Sequence, residues 1–215
     1  MTSMGFKIVC LDLGGVMVRI RHTWEDIFRD LGIQPPNTAD IGPIANSNAL
    51  HQFQKSEIDE TTFWSMLQNE LGNLPLEAVK NVFNHILHDQ YPGALELVQT
   101  MKSSGLQVGC LSNTNRPHIL ECMTSGRFPV CHAFDRLVTS YELELSKPQP
   151  EIYRAFERLF GAMPNEIIFF DDSLPNIVGA RECGWTAHHI NPYDDPPRQI
   201  REILFPEKST LLKGN

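Results

Sequence analysis

The chain has 215 residues, of which 41% are hydrophobic and 20% are charged, enough for one α/β domain with an inserted subdomain. Its net charge is -8 and it has no long run of Lys and Arg, which excludes the usual electrostatic footprint of a nucleic-acid-binding protein. No apolar stretch approaches membrane-spanning length and the N-terminus does not resemble a signal peptide, so we expect a cytoplasmic protein without a membrane partner.

The first predicted element is a strand over Phe6–Leu11, followed directly by Asp12. Residues 21–90 then show helical periodicity and no convincing strand. Helices are predicted in this region at His22–Leu31, Asp59–Leu71 and Leu76–Leu87. Because 70 or so residues are far too many for a loop in a compact domain, we expect this region to be a helical subdomain inserted after the first strand.

The rest of the chain alternates short apolar runs with amphipathic segments, as in a parallel sheet with crossover helices. Strands are predicted at Leu106–Leu111 and Glu166–Phe170, and weaker signals lie at Phe134–Val138 and Trp185–Ile190. Helices are predicted at Pro92–Ser103, Pro150–Leu159, Pro175–Cys183 and Arg198–Leu204. The expected fold is therefore a Rossmann-like three-layer α/β core, formed by residues 1–20 and 91–215.

Polar residues follow each of the three strongest strands. Asp12 follows the first, Ser112 and Asn113 follow the second, and Asp171 and Asp172 follow the third. Any one of these residues could simply be a turn or cap residue. Together, however, they should meet at the carboxyl edge of a parallel sheet, where ligands bind. Three carboxylates this close need a cation, and oxygen ligands suit Mg²⁺.

Four segments of the sequence resemble, in order, the motifs of the haloacid dehalogenase superfamily. They are LDLGGV at Leu11–Val16, LSNTN at Leu111–Asn115, SKPQPEIY at Ser146–Tyr153 and FFDDSLPNIVGA at Phe169–Ala180. The helical insert at 21–90 lies where that superfamily places its C1-type cap. Within the superfamily, the chain is most similar to bacterial sugar-phosphate phosphatases of the glucose-1-phosphate type.

The resemblance implies a role for each matching residue in phosphoryl transfer. Asp12 would be the nucleophile that forms an aspartyl-phosphate. Ser112 and Asn113 would hold the phosphoryl oxygens through a hydroxyl and backbone N–H groups. Lys147 would neutralise the nucleophile and contact the same oxygens. The implied substrate is a small phosphorylated metabolite, such as a sugar 1-phosphate.

The resemblance also implies a magnesium site. Asp12, the backbone carbonyl of Gly14 and Asp172 would be its ligands. Asp171 would act beside them as a second ligand, through a water molecule, or as an orienting group in catalysis. Assignment of the direct ligand between Asp171 and Asp172 stays open at this point, with Asp172 favoured.

Gly14 departs from the pattern of phosphatases in this superfamily, which carry an Asp two residues after the nucleophile as general acid and base. Loss of such a group typically lowers the rate by about 10²–10⁴-fold. Two alternatives follow, namely a 2-haloacid dehalogenase and a catalytically impaired protein that binds a phosphorylated ligand. Dehalogenases generally have Tyr at this position and lack the Asp-Asp loop, so Asp171 and Asp172 favour the phosphatase.

Overall fold

The computed structural model describes residues 5–34 and 41–206. Its β-strands are β1 (Ile8–Leu11), β2 (Val18–Ile20), β3 (Leu87–Gln90), β4 (Gln107–Ser112), β5 (Arg136–Thr139), β6 (Ile167–Asp171) and β7 (Thr186–His189). Its α-helices are α1 (Trp24–Leu31), α2 (Asn48–Gln54), α3 (Glu60–Glu70), α4 (Leu76–Asn84), α5 (Ala94–Ser103), α6 (Arg116–Thr124), α7 (Ser140–Leu143), α8 (Pro150–Phe160), α9 (Leu174–Glu182) and α10 (Pro196–Leu204). None of the helices in these two ranges is both long and apolar enough to cross a lipid bilayer.

A parallel sheet forms the centre of the molecule, with its strands in the order β5-β4-β1-β6-β7. Strand β1 lies in the middle, where Leu11 is paired with Cys110 of β4 and with Phe170 of β6. Every residue of β1 and β6 is buried, as expected for strands that helices cover on both faces. The predicted Rossmann-like α/β fold is confirmed.

The two faces of the sheet pack into two separate hydrophobic clusters, because successive side chains of a strand point to opposite sides. Val9 and Leu11 belong to the cluster that contains helix α5. Ile8 and Cys10 belong to the other, which contains helix α8. This sandwiching holds β1 rigidly and thereby positions the residue that follows it, Asp12.

Helices α1 to α4 pack around a third hydrophobic cluster. Its centre is aromatic, since the ring of Phe63 stacks on that of Phe53 at 4.1 Å and meets the edge of Phe83 at 5.2 Å. Each of these rings is buried. The predicted helical character of residues 21–90 is thus present in α1–α4, while the division into a core and a cap stays a prediction.

The expectation that residues 21–90 contain no strand is wrong. Strand β3 (Leu87–Gln90) pairs antiparallel with β2 (Val18–Ile20), and the helix predicted over Leu76–Leu87 ends at Asn84. Ile86 and Leu87 continue the apolar spacing of α4, so the pattern alone extends the helix. What ends it is a pairing with residues about 70 positions earlier, which local periodicity does not encode.

Three helices, α2, α6 and α7, were not predicted. Helix α2 begins at the N-cap Ser47, whose hydroxyl donates to Glu70 at 2.6 Å. Helix α6 begins at the N-cap Asn115, whose side chain accepts from the backbone N–H of His118. Helices α2 and α6 carry polar residues on exposed faces, which weakens their amphipathic pattern.

Candidate active site

The polar residues at the strand ends converge, as the sequence predicted. Asp12 follows β1, Ser112 ends β4 and Asp171 ends β6, and these three strands are neighbours in the sheet. Asp172 follows directly after β6. Oxygens of Asp12, Asp171 and Asp172 all lie within 4.8 Å of one another. The carboxyl edge of the sheet therefore holds a compact group of three carboxylates.

Lys147 lies at the centre of this group. Its Nζ is 2.8 Å from Oδ1 of Asp12, 2.7 Å from Oδ2 of Asp171 and 2.7 Å from the carbonyl oxygen of Leu111, and its side chain is only 1% exposed. All three protons of the ammonium group are thus used within the protein. Lys147 therefore joins the carboxylate of Asp12 after β1 to that of Asp171 at the end of β6.

Asn113 fixes the backbone of Lys147. Its Nδ2 donates to the carbonyl oxygen of Lys147, and its Oδ1 accepts from the backbone N–H of the same residue, each at 2.9 Å. The side chain of Asn113 therefore orients Lys147, a role that sequence reasoning did not assign. The backbone N–H of Asn113 is the group that the sequence predicts to contact substrate.

The carboxylate of Asp171 is fully engaged by the protein. Its Oδ1 accepts from the backbone N–H of Ser173 at 2.7 Å and from Nδ2 of Asn176 at 3.0 Å. Its Oδ2 accepts from the same Asn176 at 3.0 Å and from Lys147 at 2.7 Å. Asp171 is completely buried, so its two oxygens act mainly as an anchor for Lys147.

Asp172 is only partly buried, and Gly15 lets it approach the chain closely. Gly15 has φ +77°, and a Cβ built on it would lie 2.3 Å from Oδ2 of Asp172. Only glycine fits there, both for its backbone conformation and for the space that the carboxylate occupies. On its other side, the backbone carbonyl of Asp172 accepts from Nε2 of His189 at 2.9 Å.

Burial and crowding shift the ionisation of this group. Burial raises the pKa of Asp12 to about 7, opposed by the positive charge of Lys147 and reinforced by Asp171 and Asp172. Burial and the neighbouring Asp171 also raise the pKa of Asp172. For Lys147, burial favours the neutral form, but Asp12 and Asp171 outweigh it and raise the pKa. One ammonium group thus faces three carboxylates, which leaves negative charge for a cation.

The main chain at Gly14 lies beside the carboxylate group. Gly14 forms an isolated bridge with Val18 through the N–H of Gly15 and the carbonyl of Leu13, so its own carbonyl takes no part in that bridge. Its φ is outside the left-handed region, and an added Cβ would lie 3.3 Å from Cγ2 of Ile20. A side chain at this position would need Ile20 to shift only by a few tenths of an ångström.

A cavity of about 360 Å³ opens above the carboxylates. It is lined by Asp12, Leu13, Gly14, Ile20, Arg21, His22, Pro43, Ile44, Ala45, Leu50, His51, Gln54, Ile86, Leu87, Ser112, Asn113, Thr114, His118 and Asp172. Six of the apolar residues in this lining form what we call the apolar wall, namely Ile20, Pro43, Ile44, Leu50, Ile86 and Leu87.

His118 is a cavity residue that sequence reasoning missed. Its ring stacks on Phe83 of α4 at 4.1 Å, its Nε2 donates to the carbonyl oxygen of Phe83 at 3.2 Å, and its Nδ1 lies 3.3 Å from Nδ2 of Asn115. Burial lowers its pKa to about 4, so the ring is neutral. His118 ties α6 to α4, and its position after LSNTN was the only available sequence signal.

A second set of hydrogen bonds joins α7 to the C-terminal end of α2. Oγ of Ser140 lies 2.8 Å from the carbonyl oxygen of Gln54 in α2, and it accepts from the backbone N–H of Thr114. Nearby, the hydroxyl of Ser56 donates to the carbonyl oxygen of Tyr141 at 3.0 Å. Through these bonds α2, whose residues Leu50, His51 and Gln54 line the cavity, is held over the carboxylates.

Comparison with known proteins gives a consistent result. The family model of haloacid dehalogenase-like hydrolases matches residues 6–184. A sesquiterpene phosphatase from Aspergillus oryzae is 27% identical over 203 residues, covering 93% of this chain and 97% of its own. A D-ribitol-5-phosphate phosphatase from Bacteroides thetaiotaomicron is 26% identical over 205 residues, covering 92% of this chain and 98% of its own.

Among solved structures, a haloacid dehalogenase family enzyme from Bacteroides thetaiotaomicron in complex with magnesium and inorganic phosphate is similar in fold. It superposes with a TM-score of 0.75 at 26% identity, and the match covers 91% of this chain and 100% of the other.

The buried His118 should make stability depend on pH. The pKa of His118 is about 4 in the folded chain and about 6.5 in an unfolded one. Between these two pH values the unfolded state therefore binds a proton that the folded state does not bind. The contribution of the neutral ring to the free energy of unfolding is therefore fully present above about pH 6.5 and is lost as the pH falls towards 4.

Urea unfolding of the wild type and His118→Gln, each at about pH 7 and about pH 4.5, measures this effect. The wild type should lose roughly 2–3 kcal/mol more than the variant between the two conditions. Equal losses would show that His118 is not held neutral by burial.

Proposed function

The chain belongs to the haloacid dehalogenase-like hydrolases, and on that premise we propose that it is a magnesium-dependent phosphatase whose nucleophile is Asp12. The observation that carries this proposal is the buried ammonium group of Lys147, held 2.8 Å from Asp12 and 2.7 Å from Asp171. Its substrate is a small phosphorylated metabolite, in keeping with the phosphatases that the chain resembles over nearly its full length.

The donor groups fit a magnesium ion. All are hard oxygens, and together they carry more negative charge than Lys147 balances. We assign Asp12, the carbonyl of Gly14 and Asp172 as the ligands, because both oxygens of Asp171 already accept two hydrogen bonds each. When bound, the ion would neutralise charge on the phosphoryl group and lower the pKa of Asp12.

In the first half-reaction, the free carboxylate oxygen of Asp12 attacks phosphorus. A bond forms between Asp12 and the phosphoryl group while the bond from phosphorus to the leaving oxygen breaks. The hydroxyl of Ser112 and the backbone N–H of Asn113 contact the phosphoryl oxygens. The positive charge of Lys147 offsets the negative charge at Asp12, while its protons stay on Asp12, Asp171 and the carbonyl oxygen of Leu111. In the second half-reaction, water attacks the phosphorus of the aspartyl-phosphate, which releases phosphate and restores Asp12.

Lys147 is a catalytic residue in this scheme, and Asp171 and Asn113 position it. Asp171 holds its charge and Asn113 holds its backbone, so the ammonium group remains oriented while the charge on Asp12 changes during the reaction. Such fixed charges stabilise a transition state without reorganising during the step.

Helices α1 to α4 support a cap function for residues 21–90, with the core formed by residues 1–20 and 91–215. The apolar wall over the carboxylates comes mainly from this region. A cap in this position excludes water from the aspartyl-phosphate and contacts the leaving group. We also propose a cytoplasmic location, since all five cysteines are buried free thiols.

Gly14 removes the usual proton donor, so the leaving group must depart with little assistance. Substrates with weakly basic leaving groups are therefore favoured, and sugar 1-phosphates fit better than 6-phosphates because an anomeric hydroxyl is the more acidic. The similar proteins do not identify the substrate of this chain, since one is a sesquiterpene phosphatase and another a D-ribitol-5-phosphate phosphatase.

The 2-haloacid dehalogenase is the second candidate, because a halide needs no proton to depart and Gly14 supplies none. Carbon–halogen cleavage, however, needs no metal ion and so gives no role to the carboxylate of Asp172. A catalytically impaired protein that binds a phosphorylated ligand is the third. Release of phosphate in the presence of Mg²⁺ separates both from the proposed function.

Replacing Asp12 by Asn should remove phosphate release without unfolding the protein. The amide cannot form the acyl phosphate, so we expect turnover of acetyl phosphate with Mg²⁺ to fall at least about a thousandfold. The control is Asp194→Asn, an exposed carboxylate away from the cavity. A variant at residue 12 that kept a tenth of the wild-type rate would rule out this nucleophile.

Gly15→Ala should disrupt the metal site, because the new Cβ would overlap Oδ2 of Asp172. The matched control is Gly126→Ala, which has φ +73° and no neighbouring atom within 4 Å. Both variants should lose about 1–2 kcal/mol of stability from the left-handed backbone. Only Gly15→Ala should require much more Mg²⁺ for half-maximal phosphate release, and an unchanged Mg²⁺ requirement would contradict the assignment of Asp172.

The rate should depend steeply on the basicity of the leaving group. We expect log kcat/KM for a series of phosphate esters to fall with the pKa of the leaving alcohol, because no acid at residue 14 protonates it. Gly14→Asp should flatten this slope, whereas Gly14→Asn, of similar size but without an acidic proton, should not. A flat plot for the wild type would mean that another group donates the proton.

A further inference from the structure

We propose that the leaving-group side of this site is built for an apolar alcohol or phenol, so that the substrate class is a phosphorylated apolar molecule. The acidity of the leaving group alone would also allow a sugar 1-phosphate, and the lining of the cavity decides against it. This inference rests on the proposed phosphatase function and narrows its substrate. It is carried by the chemistry of the apolar wall and by the hydrogen bonds that already occupy the polar residues around the cavity.

The apolar wall lines the same cavity as Asp12 and Asp172 and comes from several separate parts of the chain. Ile44 lies in the short turn before α2 and Leu50 in α2 itself. Ile86 and Leu87 come from the loop and strand after α4. Each is less than 9% exposed, so their side chains belong to the packed interior and hold fixed positions. The surface that meets a leaving group is therefore preformed and aliphatic.

Three of the polar side chains that line the cavity beside the wall already bond to the protein. The guanidinium of Arg21 donates to Asp30 at 2.9 and 2.7 Å and to the carbonyl oxygen of His85 at 2.8 Å. Nε2 of His118 donates to the carbonyl oxygen of Phe83, and Nε2 of His51 to that of Ala45. These bonds reduce the number of donors that remain for sugar hydroxyls.

In the cavity lining beyond the carboxylates, Ser112 and Asn113, three polar side chains make no hydrogen bond to the described part of the chain, namely His22, Gln54 and Thr114. These three side chains are few for the several hydroxyls of a sugar or sugar alcohol, each of which both donates and accepts. Each hydroxyl that loses water without gaining a partner weakens binding, whereas each buried methylene strengthens it. The wall therefore selects for apolar surface.

The cavity has room to extend. A second cavity of about 470 Å³ shares Ile20 and His22 with the first, so the two meet at that point. Its lining includes Tyr91, Pro92 and Tyr193, of which Tyr193 is 82% exposed. An apolar leaving group longer than the first cavity can continue across these rings, which are the kind of surface that binds hydrocarbon.

The test holds leaving-group basicity constant and varies polarity. We would measure kcat/KM with Mg²⁺ for para-alkylphenyl phosphates, from methyl to hexyl, and for partners whose alkyl chain carries one or two hydroxyls away from the ring. Their phenols have nearly the same pKa. We expect kcat/KM to rise about threefold to fourfold per methylene, and each hydroxyl to lower it by about ten- to a hundredfold.

A series that is flat with chain length, or in which the hydroxylated partners are the better substrates, would overturn the proposal. The proposed function fails in a different way, since no phosphate would then be released from any member of the series or from acetyl phosphate.

A variant pair assigns the effect to the wall. Leu50→Gln places an amide in the cavity and should remove most of the penalty on the hydroxylated esters, by about tenfold. Met66→Gln makes the same kind of change on α3, at a partly buried residue outside the cavity, and should keep the wild-type ranking. An unchanged penalty in folded Leu50→Gln would contradict the proposal, and if that variant does not fold, the wild-type series decides alone.

Discussion

The buried ammonium group of Lys147 is the interaction on which the rest of the site depends. Removing such a charge from water is unfavourable by several kcal/mol unless it is paired and fully hydrogen bonded. Here Asp12, Asp171 and a carbonyl oxygen occupy all three of its protons, and Asp171 is itself anchored by Ser173 and Asn176. The remaining negative charge on Asp12 and Asp172 is what gives this edge of the sheet affinity for a cation and, through it, for a phosphoryl group.

Two features on the other side of the reacting bond act in the same direction. Gly14 offers no proton to the departing oxygen, and the apolar wall offers its substituent few hydrogen bonds. In the proposed function, the first selects substrates by the basicity of the leaving group and the second by its polarity. In that proposed function, the chemistry on phosphorus and the choice of substrate are thus separated in the fold, with the sheet edge responsible for one and the residues of the apolar wall for the other.

The sequence predicts the sheet and the carboxylate group well, because both depend on local signals. Apolar runs mark β1, β4 and β6, and the parallel topology that follows from them places Asp12 beside Asp171 without any knowledge of contacts. Features that need distant partners were not predictable. Strand β3 exists because β2 pairs with it, and His118 lines the cavity because Phe83 of a remote helix lies against its ring. The sequence did not indicate that the Asn113 side chain orients Lys147, because the two residues are 34 positions apart.

The proposed mechanism depends on which residue receives the phosphoryl group. Acid quenching of the Mg²⁺-loaded protein during steady-state turnover of acetyl phosphate, followed by mass spectrometry of its peptides, would locate that group directly. A mass increase of one phosphoryl group is expected on the peptide that contains Asp12, and its loss is expected when the quenched protein is treated with hydroxylamine, which cleaves acyl phosphates. Phosphate release with the label on another residue would contradict the central claim.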